Sequence, residues 1–201
     1  HKTRNPALAH VINNQFTFGP SYSYTYNTNT DDSRTDAIYY NGKISESASL
    51  LGLLMGADTT KGKVKSLFGT PFNQYIKVEN DFRYYHKFTP GLKFATRLQV
   101  GVGYSYGNST LMPYSQQFFI GGPNSLRGFQ ARSLGPGAYI LPPKLNPGNV
   151  FLADESGDIK IEANAEFRPK LFSIVEGALF VDAGNIWLLR PHKFQPSAAF
   201  G

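Results

Sequence analysis

QYIKVENDFRYYHKFTPGLKFATRLQVGVGYSY, residues 74–106, is two long alternating runs joined by a short reversal. In Gln74 to Phe88 one parity carries Ile76, Val78, Phe82, Tyr84 and Phe88, and the other carries Lys77, Glu79, Asp81, Arg83 and Lys87. Successive strand side chains point to opposite faces, so this pattern predicts one apolar and one charged face. Thr89, Pro90 and Gly91 make the reversal. Leu92 to Tyr106 then repeats the pattern, with Leu92, Phe94, Leu98, Val100, Val102, Tyr104 and Tyr106 opposite Lys93, Arg97, Gln99 and Ser105. Strands of soluble domains cluster near about five or six residues, whereas these run to about fifteen. A strand of about ten residues crosses a bilayer, and aromatic residues at its ends suit the two interfaces. The hairpin therefore predicts a transmembrane β-barrel rather than a half-buried soluble sheet.

Four further strands follow from the same reading. Residues 11–26 place Phe16, Phe18, Tyr22, Tyr24 and Tyr26 opposite Asn13, Gln15, Thr17, Ser21, Ser23 and Thr25. Residues 37–56 alternate less cleanly; the Leu50 to Leu54 end could form a helical turn, but Gly52 argues for strand. Asp58 to Asn73 reads as a loop. Residues 158–168 set Asp158, Lys160, Glu162, Asn164, Glu166 and Arg168 against Ile159, Ile161, Ala163, Ala165 and Phe167. After a turn at Pro169 to Leu171, residues 172–183 turn Val175, Leu179 and Val181 outward and Glu176, Phe180 and Asp182 inward. Gly184 and Asn185 are expected to end that strand, with Trp187 at the rim.

Composition agrees with many aromatic strands and tight turns: among 201 residues there are 12 Tyr, 16 Phe and 20 Gly. There is no Cys, so neither a disulfide framework nor a thiolate metal site is available. No window approaches the run of about eighteen apolar residues that a membrane helix needs, which leaves barrel strands open. The net charge of +6 is spread along the strands rather than clustered, which argues against nucleic acid as a partner. His1 to His10 has no apolar core or cleavage site, so the first residue is not expected to begin the gene product.

Residues 107–157 form a long loop, and its centre is FFIGGPNSLRGF, residues 118–129. A loop of that length is functional or disordered, and disorder lacks aromatic and apolar residues of this kind. The tetrad Leu126, Arg127, Gly128, Phe129, preceded by Phe118, Phe119, Gly121 and Gly122, resembles the sixth extracellular loop of the BamA/TamA superfamily of outer-membrane assembly and translocation barrels. Phe180, Asp182 and Gly184 match that family's second signature, an aromatic-x-Asp-x-Gly on a later strand. Within the superfamily the chain is most similar to TamA-type proteins of the Bacteroidetes group, with BamA itself close behind.

The resemblance implies an all-β fold in which these six strands belong to an antiparallel barrel of about sixteen. An open edge is not tolerated in the hydrocarbon layer, so the chain is expected to be part of a larger barrel. The resemblance also implies that the loop tip enters the lumen and that Arg127 meets Asp182, with Glu162 and Glu166 as further acceptors. Gly121, Gly122 and Gly128 would permit the turns, and Phe129 would wedge the tip against the wall. The implied role is insertion, assembly or translocation of outer-membrane and surface proteins through a lateral seam of a Gram-negative outer membrane. The implied partners are the lipid bilayer and lipopolysaccharide, client outer-membrane proteins, and periplasmic or lipoprotein accessory subunits. A two-partner-secretion transporter pore shares both motifs and stays open as an alternative, and a diffusion porin would lack the tetrad.

No enzyme is expected. Glu162 and Glu166 share a strand face as an acid pair would, but carboxylates line any such lumen. His1, His10, His86 and His192 have no ligand spacing, and GGPNSLRG lacks the lysine of a phosphate loop. No cofactor and no metal are expected.

Overall fold

A computed structural model describes residues 15–29, 34–138, 155–172 and 174–189. Among the described residues the strands are β1 (Ser21–Asn27), β2 (Asp36–Ser47), β3 (Ser66–Leu67), β4 (Thr70–Pro71), β5 (Tyr75–Thr89), β6 (Leu92–Ser105), β7 (Ile159–Pro169) and β8 (Leu179–Trp187), with an α-helix, α1 (Ser49–Leu54). Six strands form one open sheet in the order β1-β2-β5-β6-β7-β8, and β3 pairs with β4 apart from it. Among the described residues no helix is long and apolar enough to cross a membrane. The chain divides into two units, residues 1–22, 44–78 and 103–117 in the first and residues 23–43, 79–102 and 118–201 in the second.

The first unit is stitched by buried polar side chains. Ser47 is fully buried, and its hydroxyl donates to the carbonyls of Asn73 at 2.8 Å and Phe18 at 3.1 Å. The Gln74 side-chain carbonyl accepts from the Asn108 N–H at 3.0 Å, and the Asn108 amide donates to the Phe72 carbonyl at 2.8 Å. Two strand expectations are corrected here. Residues 49–54 are helical rather than the end of a strand. Gly52 does not oppose that helix; it packs against the Gln74 amide so closely that a Cβ would collide with it. Residues 15–20 carry only one bridge, from Phe16 to Phe72, instead of a strand ladder. Pro20 supplies no N–H for a ladder, although its carbonyl accepts from the Glu46 N–H at 3.1 Å. Residues 11–14 of that expected strand lie outside the described residues.

The second unit holds the motifs. β6 and β7 pair antiparallel from Leu92↔Pro169 to Val102↔Ile159, and β7 and β8 pair from Ile159↔Trp187 to Phe167↔Leu179. One face carries Leu98, Ile161 and Val181, all exposed. The opposite face carries Arg97, Glu162, Asn164, Glu166 and Asp182, and there the loop packs. The last strand differs from its expected span of 172–183. Beyond β7 the Leu171 N–H donates to the Val175 carbonyl at 2.9 Å, a turn contact rather than a strand ladder. Leu171, Phe172, Ile174 and Val175 are apolar on both parities, so alternation could not separate turn from strand here. At its other end β8 runs on to Trp187, because Gly184 and Asn185 pair with Glu162 and Ile161 instead of ending the ladder.

Candidate functional site: the loop tip and its seat

The long loop leaves and rejoins the sheet through one antiparallel bridge between Phe118 and Gly157, each donating its N–H to the other at 2.8 Å. The chain then doubles back on itself. Gly122 donates to the Phe129 carbonyl at 2.8 Å, and Arg132 donates to the Ile120 carbonyl at 2.9 Å. Between these rungs lie two tight turns, closed by Ser125 N–H to the Gly122 carbonyl at 3.1 Å and Phe129 N–H to the Leu126 carbonyl at 3.1 Å. Gly121 and Gly122 have φ of 99° and 97°, a region that side chains adopt only at a cost.

The underside of the tip is apolar. Phe118, Ile120, Leu126 and Ile186 form one buried cluster, with Ile120 and Ile186 wholly shielded. Two positions on the sheet have no side chain where the loop comes down. A Cβ at Gly101 of β6 would stand 2.5 Å from the Phe118 ring, and one at Gly184 of β8 would stand 2.9 Å from Ile120 Cδ1. The glycine of the aromatic-x-Asp-x-Gly signature is thus a seat for a loop side chain.

Arg127 sits at the centre of the polar half. Its Nε donates to Asp182 Oδ2 at 3.0 Å and its Nη2 to Asp182 Oδ1 at 2.9 Å, a two-pronged fork on one carboxylate. Its Nη1 donates to Glu166 Oε2 at 2.7 Å, and its backbone N–H adds a bond to Asp182 Oδ2 at 3.1 Å. The guanidinium lies 3.7 Å above the Phe180 ring centroid. Hydrogen bonding and charge from Asp182 and then Glu166 raise the Arg127 pKa further above its ordinary range, so it is permanently charged. Asn164 completes the clamp, donating through Nδ2 to Asp182 Oδ1 at 2.9 Å and to the Ser125 carbonyl at 3.1 Å. These positions meet because Asn164 is registered opposite Asp182 and Glu166 opposite Phe180.

Glu162 has a different station from the one expected. It is fully buried and takes the Ser125 hydroxyl at 2.5 Å and the Lys160 ammonium at 3.0 Å, while Arg127 is held by Asp182 and Glu166. Phe129 does not wedge the tip: it is 53% exposed, and Leu126, at 4%, fills the gap. Gly128 has no positive φ and open space where a Cβ would stand, so the turn does not demand glycine there. Sequence reading passed over Ser125, Asn164, Gly101 and Ile120. Only Asn164 carried a usable signal, its place on the charged parity between Glu162 and Glu166.

A second charged cluster adjoins the tip. Asp81 receives Arg97 at 3.1 and 2.7 Å and Arg83 at 3.0 and 2.8 Å. The remaining prong of Arg97 donates to the Asn124 carbonyl at 3.0 Å.

An open antiparallel sheet with one apolar face, and a glycine-turned loop clamped by arginine to the other, make an arrangement that fits the strands of a transmembrane β-barrel. A model of the Omp85 superfamily domain matches residues 13–193, and the chain belongs to that superfamily. Over 104 residues it is 29% identical to the outer membrane protein assembly factor BamA of Neisseria meningitidis serogroup B, an alignment covering 51% of this chain and 13% of that protein. The chain is a BamA/TamA-type member of the superfamily and a protein of the bacterial outer membrane.

Proposed function

We propose that this chain forms part of a barrel that assists the insertion, assembly or translocation of outer-membrane and surface proteins through a lateral seam, with its loop tip held in the lumen. The observation that carries this reading is the Arg127 fork on Asp182 and Glu166. An apolar sheet face exposed on Leu98, Ile161 and Val181 suits lipid, and the opposite charged face suits a lumen. A loop fixed there by a charge clamp would set the inner shape of the barrel while the seam handles clients. The work is conformational, without bond chemistry or cofactor, and the partners are lipid with lipopolysaccharide, client polypeptides and accessory periplasmic or lipoprotein subunits. Similarity to an assembly factor favours this over a two-partner-secretion pore.

The test is made in cells depleted of the full-length protein and supplied with an Arg127→Ala version. Folded outer-membrane proteins should fall in the outer membrane while the variant itself is still inserted. Undiminished levels of every client would overturn the reading. A crosslink between cysteines placed at 127 and 182 of the full-length protein in intact membranes would support the lumen position. Free labelling of position 127 from outside would remove it.

A further inference from the structure

Beside the clamp lies a cleft of about 630 Å³ whose walls include Arg83, Tyr85, Arg97, Asn124, Arg127 and Arg168. It is bounded by the loop tip on one side, and its strand residues come from β5, β6 and β7. Four guanidinium groups come from three strands and the loop. The carboxylates that meet them are three: Asp81 for Arg83 and Arg97, Asp182 and Glu166 for Arg127, and Glu166 again for Arg168.

The surplus is specific in its geometry. Arg97 and Arg127 spend every prong on partners already described. Arg168 uses only Nε, on Glu166 at 2.7 Å, and its two terminal nitrogens have no acceptor among the described residues. Lys93 is registered opposite Arg168 on the same face, is exposed, and has no ion-pair partner among the described residues. A guanidinium with its outer fork open matches the two oxygens of a carboxylate, and an adjacent ammonium adds point charge without competing for that geometry. Tyr85 and the tip backbone give the walls that an extended chain would lie against.

We propose that this cleft binds an acidic stretch of extended polypeptide, a carboxylate side chain taking the open fork of Arg168 with Lys93 beside it. The site lies on the face assigned above to the lumen and rests on that reading for the partner being a client chain. The peptide carboxylate would fall on Arg168 and Lys93 rather than on Arg127, whose prongs are taken, so the two readings can fail separately.

The experiment uses the full-length protein in lipid nanodiscs and two fluorescent peptides of about ten residues, long enough to cross the face as a strand, one alternating Glu with Thr and one alternating Gln with Thr. The Glu peptide should bind about tenfold more tightly than the Gln peptide and weaken with added salt, as charge-assisted contacts do. Lys93→Gln combined with Arg168→Gln should remove that preference. Should the double variant fail to give a heat-modifiable barrel, Lys93→Gln alone carries the test, with a loss of about threefold. Equal binding of both peptides, an unchanged preference in a folded variant, or displacement by inorganic phosphate at matching concentration would overturn the proposal. Peptide binding that fails while Arg127→Ala still depletes clients would sink the cleft and leave the assembly reading standing.

Discussion

Ile120 occupies the space that a side chain at Gly184 would need: a Cβ on Gly184 would stand 2.9 Å from Ile120 Cδ1 and 2.7 Å from the Ile161 carbonyl. The second of these neighbours is backbone in the ladder and cannot step aside. Gly184→Ala should therefore destabilise the barrel by about 1 to 3 kcal/mol, the cost of overpacking a filled site. It would be read as a drop in the temperature at which the full-length protein loses its compact mobility on a gel. Unchanged mobility would mean that the loop does not rest on β8.

Arg127→Ala leaves Asp182, whose side chain is 7% exposed, without its fork. Breaking a shielded pair of this kind costs about 3 to 5 kcal/mol. Asp182→Ala should resemble it, and the double variant should cost much less than the sum, by about 1 to 3 kcal/mol of coupling. Strict additivity in thermal unfolding would show that the two do not touch. Arg127→Lys should rescue poorly, since an ammonium cannot span both Asp182 oxygens and Glu166.

Leu126→Ala and Phe129→Ala separate the two apolar residues of the tetrad. Leu126 is buried among Phe118, Ile120 and Ile186, so its truncation should cost about 2 to 5 kcal/mol. Phe129 is exposed by half, and its truncation should stay within about 0.5 kcal/mol. The reverse order would place the aromatic residue in the wall.

Ser125→Ala removes the hydroxyl that reaches Glu162, leaving that buried carboxylate, among the described residues, to Lys160. A loss of about 1 to 3 kcal/mol is expected. Glu162→Gln should restore part of it in the Ser125→Ala background, because a neutral amide is cheaper to leave buried than a carboxylate. No restoration would mean that the charge of Glu162 is held mainly by Lys160.

Val181→Arg tests which face meets lipid. Val181 is 71% exposed on the apolar side, and an arginine there should cost up to about 2 to 4 kcal/mol near the bilayer midplane. Gln99→Lys, on the charged side beside Asp81, should be tolerated. Yields of membrane-inserted protein would separate them, and equal yields would remove the lipid assignment.

Much of this arrangement is legible in the sequence. Face assignment on β5, β6 and β7 needs only parity, and the pairing of Arg127 with Asp182 is implied by the resemblance of the loop tetrad and the later strand motif to the family. What escaped the sequence depends on distance. Gly52 reads as a helix breaker until Gln74 is seen against it. Leu126 and Phe129 are equally apolar on paper, and only the turn closed between them sends one inward. Ser125 and Gly101 matter through what lands on them, and no periodicity records that. The turn closed between Leu171 and Val175 is hidden by a run apolar on both parities.

The side chains that clamp the tip through Arg127 and Ser125, namely Glu162, Asn164, Glu166 and Asp182, all lie on the one hairpin that follows the loop, 37 to 55 positions along the chain from their partners. Closing such a segment costs little more entropy than closing the hairpin itself. The clamp therefore draws only on that hairpin and needs no other strand to close. Loop tip and hairpin are thereby joined as one unit within the sheet.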